Sequence, residues 1–185
     1  FYAITLPSLT TLNLGNNALL EFEQGTYPKL STLSLNDNYL SEVDVTSFRN
    51  LTSLSVANNS LLYFLDVSNA ADLSSLNISG CNFSSINLKN NASLKYLYVQ
   101  NNPNLAHLDV TPMRDLRTLK ISNTKIANID LSNAYFLQEF YAENTQCPFF
   151  YFNYLNPSGN LRMVDIRNNK NMTGASVTFS LRTLP

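Results

Sequence analysis

The chain has 185 residues, of which 30 are Leu and 27 are Asn, while charged residues supply only 14%. Leu, Ile, Val and Phe make up about 30% of it, well above the ~20% below which a chain cannot bury enough surface to fold, so disorder is excluded. A net charge of −1, with Lys and Arg scattered singly, lacks the field that holds a phosphate backbone, which excludes nucleic acid as a partner. The longest apolar runs, 61–65 and 147–152, fall far short of the ~18 residues of a membrane-spanning helix. The sequence starts at Phe1 with neither an initiator Met nor a signal-peptide layout, and is expected to be processed or a fragment.

One pattern, L-x-x-L-x-L-x-x-(N/C/T), recurs along the chain. It starts at Leu9, Leu30, Leu51, Leu73, Leu94, Leu116, Leu137 and Leu161, at spacings of 21, 21, 22, 21, 22, 21 and 24 residues. In each copy the central L-x-L predicts a short strand with two apolar side chains on one face. A single strand of this kind cannot bury its own face, so successive copies must stack as a parallel sheet over a shared core. The ninth positions, Asn17, Asn38, Asn59, Cys81, Asn102, Thr124, Thr145 and Asn169, are all small and capable of donating. They are expected to form a buried column that satisfies backbone groups from one turn to the next.

A second half-repeat follows each strand, seen as LSEVDVT from Leu40, LYFLDVS from Leu62, LAHLDVT from Leu105 and IANIDLS from Ile126. It has no helical period, which predicts short strands or extended turns on the side opposite the main sheet. Between the seventh and eighth copies the period stretches to 24 residues across CPFFYFNYLNPSGN. Alternation there places Phe150 and Phe152 in the core as replacements for the L and V of L-D-V. It leaves Phe149, Tyr151 and Tyr154 partly exposed, ahead of a turn at Asn156–Gly159. The last segment, Met172 to Thr178, repeats the half-repeat frame, and Leu181 begins another. No polar cap is visible at either end, so 1–185 is read as one solenoid of about eight repeats, open at both ends.

These residues resemble the leucine-rich repeat family over nearly the whole chain. The nested 21-residue form is similar to the bacterial IRREKO subclass and to repeats of Bacteroides-type surface proteins, and it lacks the L-x-G-x-I-P pattern of plant receptors. The resemblance implies a repeat solenoid of the α/β type, mostly β, curved so that its parallel sheet lines the concave face. It also implies a bacterial, extracellular or cell-surface setting.

Chemistry-bearing residues are sparse. Cys81 and Cys147 sit three rungs apart, roughly 14 Å at ~4.8 Å per rung, too far for a disulfide, and read as buried thiols. Asp44, Asp66, Asp109 and Asp130, with Asn87 in the same slot, could line up for Ca²⁺. The Gly-rich coils that do this need glycines absent here, so each Asp, with the Ser or Thr two residues on, is expected to hydrogen-bond a tight corner or to face solvent. His107 has no nucleophile or metal-ligand spacing around it. Glu139, Glu143 and Asp165 could supply a carboxylate pair, but on an open sheet face nothing raises a pKa. No catalytic, cofactor or metal site is therefore assigned. Six N-x-S/T sequons are present, close to the five that composition alone gives.

The exposed strand positions change character along the solenoid. The first four rungs carry Thr11, Asn13, Thr32, Ser34, Ser53, Ser55, Ser75 and Asn77. The last four carry Tyr96, Tyr98, Thr118, Lys120, Glu139, Tyr141, Met163 and Asp165, followed by Glu143 and Arg167. Large aromatic and charged side chains are those enriched at binding hot spots. They could equally pack on one another, Tyr98 with Lys120 and Glu143 with Arg167. The reading that follows is a non-enzymatic module binding a protein or peptide on the concave face. The alternatives are a structural spacer or assembly subunit docking through 147–160, and carbohydrate binding by the exposed tyrosines.

Overall fold

The computed structural model describes residues 4–152, 161–172 and 177–178. Each L-x-x-L-x-L copy forms a three-residue strand: β1 Thr11–Asn13, β2 Thr32–Ser34, β3 Ser53–Ser55, β4 Ser75–Asn77, β5 Tyr96–Tyr98, β6 Thr118–Lys120 and β7 Glu139–Tyr141. Two further strands interrupt and extend the series, β8 Phe150–Tyr151 and β9 Met163–Asp165, and β10 Val177–Thr178 follows. The main sheet has eight parallel strands in the order β1 to β7 and then β9. The register is in frame throughout, so Leu33, Leu54, Leu76, Leu97, Leu119 and Phe140 form one buried row. Among the described residues there is no helix, so the solenoid is built from strands and turns.

Three residues beyond each strand of the main sheet the chain turns through a residue with left-handed backbone. Asn16, Asp37, Asn58, Asn101, Asn123, Asn144 and Asn168 have φ between 53° and 59°, and Gly80 takes the same place at 67°. Asn, Asp and Gly are the residues that adopt this conformation at least cost. Gly80 is required twice over, since a Cβ there would run into the side chain of Asn58. This eighth position was not singled out in the sequence, where it reads as ordinary polar loop. Together with the ninth, it accounts for much of the asparagine bias.

From Asn38 to Thr145 the ninth position is buried as the sequence predicts, whereas Asn17 on the first turn is exposed and Asn169 on the last is half-buried, because, among the described residues, neither has a complete turn packed on both sides. Asn102 donates through Nδ2 to the Ile78 and Val99 carbonyls, both at 2.9 Å, and accepts from the Phe83 N–H at 3.0 Å. Asn59 makes the equivalent set with Leu35, Val56 and Leu40. At Cys81 the thiol reaches the Val56 carbonyl at 3.4 Å, and at Thr124 the hydroxyl reaches the Ile121 carbonyl at 2.8 Å. Both cysteines are free and buried. Burial pushes the Cys81 thiol up to about 11 and raises Cys147 as well, so neither is a ready nucleophile.

On the second half-repeat the middle turns carry single cross-turn bonds, such as Asn82 N–H to the Leu62 carbonyl at 2.8 Å, while Thr26 makes two, donating to the Ile4 carbonyl and accepting from the Leu6 N–H, in a parallel bridge with Thr5. Among the described residues, a second sheet forms only where β8 pairs in parallel with β10. That register joins Val177 to Phe150, two residues away from the pairing that the repeated half-repeat frame implies. Phe150 and Phe152 are buried as expected and meet Phe140 edge-on, with ring centroids 5.4 and 5.8 Å away. The expectations for Tyr154, for the turn at 156–159 and for the repeat starting at Leu181 lie outside the described residues.

Candidate functional site

The aromatic and charged residues of the last four rungs are brought together on one face of the sheet. The pairing register sets Tyr98, Lys120, Tyr141 and Asp165 in one row and Tyr96, Thr118, Glu139 and Met163 in the next. Lys120 extends between two rings, with Nζ 5.5 Å from the centroid of Tyr98 and 4.6 Å from that of Tyr141. A cation between two aromatic faces holds all three side chains in place. Tyr98 is half-buried, and its phenol is raised by desolvation and by the nearby charge of Glu139.

Ion pairs close the far end of the patch. Arg162 pairs with Glu139 at 2.8 Å. Arg167 forms a fork onto Asp165, Nε to Oδ1 and Nη2 to Oδ2, both at 2.8 Å. Glu143 lies farther from Arg167, at 3.5 Å, and also accepts from Asn168 Nδ2 at 2.8 Å. The Glu143–Arg167 contact expected from the sequence is therefore present, but as the weaker arm of a triad centred on Arg167. Such exposed pairs add little stability, ~0 to 1 kcal/mol each. Their consequence is order: every residue assigned to the patch except Tyr96 has a polar or cation–π partner on its own strand, a neighbouring one or the loop that follows.

The three carboxylates of this face are all engaged in ion pairs. The carboxylates of Glu139, Glu143 and Asp165 each face a guanidinium, and the fork from Arg167 lowers Asp165. His107 is exposed on the second half-repeat. The recurring aspartates form corners as predicted. Asp44, Asp66, Asp109 and Asp130 each accept from the N–H two residues on, at 2.9, 2.9, 2.9 and 2.8 Å. Asn87 does the same toward Lys89 at 3.3 Å. Phe149 and Tyr151, the described members of the inserted segment's exposed set, are 40% and 51% exposed with ring centroids 4.8 Å apart.

The corner bonds give an acid dependence with a definite sign. Asp44, Asp66, Asp109 and Asp165 are all lowered, the first three by bonds from Thr46, Ser68 and Thr111 and the last by Arg167. Folding therefore holds these protons less tightly than the unfolded chain does. The stabilisation is complete above the unfolded value of 3.8 and is lost as pH falls through the lower folded values. The unfolding midpoint should be flat from about pH 5 to 7 and drop below about pH 4. Asp109→Asn, which keeps the acceptor as Asn87 does, should reduce that drop, and an unchanged acid profile would remove Asp109 from the account.

The sequence reading missed a group on the opposite half-repeat of the N-terminal turns. Tyr39, Leu61, Tyr63 and Phe64 are all exposed. Three of them lie in the apolar run 61–65, which looks like core. Comparison of the same slot from turn to turn is the signal that distinguishes them.

A family model described as Leucine Rich Repeat matches residues 29–51. Among curated proteins, none matches the sequence. The functional domain of InlJ from Listeria monocytogenes, described as including a cysteine ladder, is a similar structure at a TM-score of 0.74 and 24% identity. That match covers 90% of this chain and 43% of the other. An internalin, inlF, from Listeria monocytogenes matches at a TM-score of 0.54 and 21% identity, over 82% of this chain and 48% of that one. The chain thus spans less than half the length of either structure. The likeness is one of fold: a leucine-rich-repeat solenoid, mostly β, with a parallel sheet.

Proposed function

We propose that the chain is a non-enzymatic recognition module that binds a protein or peptide through the C-terminal half of its main sheet face. The contact residues are Tyr96, Tyr98, Lys120, Glu139, Tyr141, Glu143, Asp165 and Arg167. The observation that carries this reading is the Tyr98–Lys120–Tyr141 stack, which is aromatic, half-buried and already ordered. Side chains fixed before association lose little entropy on binding, and a rigid repeat scaffold adds the same advantage over the rest of the face. The N-terminal half of the face carries Thr11, Asn13, Thr32, Ser34, Ser53 and Ser55, whose short side chains offer few anchors. The similarity to bacterial internalins supports a bacterial cell-surface or secreted setting, and the nested period supports the IRREKO-like subclass.

Selection of a displayed random-peptide library on the immobilised chain tests the assignment. Recovered peptides should lose binding to Tyr98→Ala and Tyr141→Ala. Peptides that bind both variants undiminished would contradict it.

A second reading draws on a specific observation, the exposed and mutually packed Phe149 and Tyr151 beside β8. In it the inserted segment docks the solenoid onto another part of a larger assembly. Peptides or partners sensitive to Tyr151→Ala alone would favour that reading. Glycan binding by Tyr96, Tyr98 and Tyr141 is separated from both by a glycan array probed with the same variants.

A further inference from the structure

Solenoid turns allow the same slot to be compared many times over. In the second half-repeat, the two positions after the first apolar residue are Ser41 and Glu42, then Tyr63 and Phe64, then Ser84 and Ser85, Ala106 and His107, and Ala127 and Asn128. On these other four turns the slot is small or polar; the first turn carries Leu20 and Glu21 there and the seventh Pro148 and Phe149, so Tyr63 and Phe64 are the one slot among the described residues filled by two aromatic rings. Tyr63 and Phe64 are 56% and 64% exposed, so the fold gains little from their rings. On the preceding turn's side, both rings border a groove of about 330 Å³ whose other walls include Glu42, Asp44 and Asp66. Among the described residues, none of these three carboxylates is in an ion pair, and no cation lines the groove. On the following turn's side, Phe64 borders a second groove of about 450 Å³, which contains Lys89.

We propose that the groove at Tyr63 and Phe64 is a second docking surface, which takes a basic peptide segment of a partner protein. An arginine or lysine stem lies along the two rings, and its charge meets Glu42, Asp44 and Asp66. Charge complementarity selects the occupant, because aromatic faces beside unpaired carboxylates favour a cation over a neutral or acidic group. Asp44 and Asp66 remain ionised at neutral pH because their corner bonds favour the charged form. Lys89 disfavours a second cation in the following groove, which directs the basic group to the Glu42 side. Tyr39 and Leu61, exposed on the same two turns, supply apolar surface for the residues flanking it. This surface lies on the other half-repeat from the sheet-face patch and does not depend on it.

The test is a titration of the isotope-labelled 185-residue chain, followed by NMR, with the peptide Ac-Ala-Leu-Arg-Leu-Ala-NH₂. The controls carry citrulline or Glu in place of Arg. Amide signals of residues 42–46 and 63–66 should shift with the Arg peptide, with at least about tenfold weaker binding by the citrulline form. Phe64→Ser and Tyr63→Ser introduce the residue that the next turn carries and leave the fold intact. Each should weaken binding at least about tenfold, as should Glu42→Gln, and Tyr98→Ala should not. Equal binding of the citrulline peptide would overturn the proposal. So would shifts confined to the sheet face, equal binding of free argininamide, or no shifts at ~millimolar peptide.

Discussion

Leu97→Ala should destabilise the chain by about 2 to 5 kcal/mol, measured by denaturant titration. Leu97 is the central residue of β5, fully buried between Leu76 and Leu119 on the flanking strands. Truncation removes buried methyl groups and leaves a cavity in a row that runs the length of the solenoid. Neighbouring rungs cannot collapse into it, because each is held by its own ladder bonds on both sides. Leu76→Ala should behave alike, whereas Leu12→Ala on the half-buried first strand should cost less. Ser55→Ala on the opposite face should remain within about 0.5 kcal/mol. A cost for Leu97→Ala as small as that for Ser55→Ala would contradict the register.

Asn102→Ala should cost about 3 kcal/mol, because it orphans three buried backbone groups at once: two carbonyls and the Phe83 N–H. An unsatisfied buried group costs ~1 to 3 kcal/mol, and here the backbone cannot move away to recover water. Asn59→Ala removes the same set and should cost about as much. Asn102→Thr should recover part of the loss, since Thr124 on the following turn keeps a bond to the Ile121 carbonyl. A neutral Asn102→Ala would mean that the column fills space without satisfying the corner.

The fold was legible because repetition multiplies a weak signal. One L-x-x-L-x-L is ambiguous between strand and helix, but eight copies in register allow only a parallel stack, and each anchor found its strand. The replacement of leucine by Phe150 and Phe152 was legible for the same reason, since alternation fixes which side chains point inward. What escaped notice depends on conformation. The left-handed column at Asn16, Asp37, Asn58 and their equivalents looks like any polar loop until the backbone is seen. Asn91 shows the limit from the other side. It is buried in the slot that holds Phe48, Ala70, Met113 and Ala134 on other turns, donating to the Val67 and Ala70 carbonyls.

At the candidate site the sequence identified which residues share a face but left open whether they pair or wait for a ligand. The structure shows the pairing at Tyr98 and Tyr141. Their rings flank Lys120, and both are only half-buried. Tyr63 and Phe64 were overlooked because an apolar run of five residues suggests burial, whereas only Leu62 and Leu65 of that run point inward.

The affinity of one library-selected peptide for a panel of variants tests the central claim most directly. Tyr98→Ala and Tyr141→Ala should each weaken binding by about 2 kcal/mol, roughly 30-fold, with unchanged unfolding midpoints. Ser34→Ala, Ser55→Ala and Tyr151→Ala should leave affinity within about 0.5 kcal/mol. Loss of affinity with Tyr151→Ala alone, with both sheet-face tyrosine variants binding normally, would contradict the account.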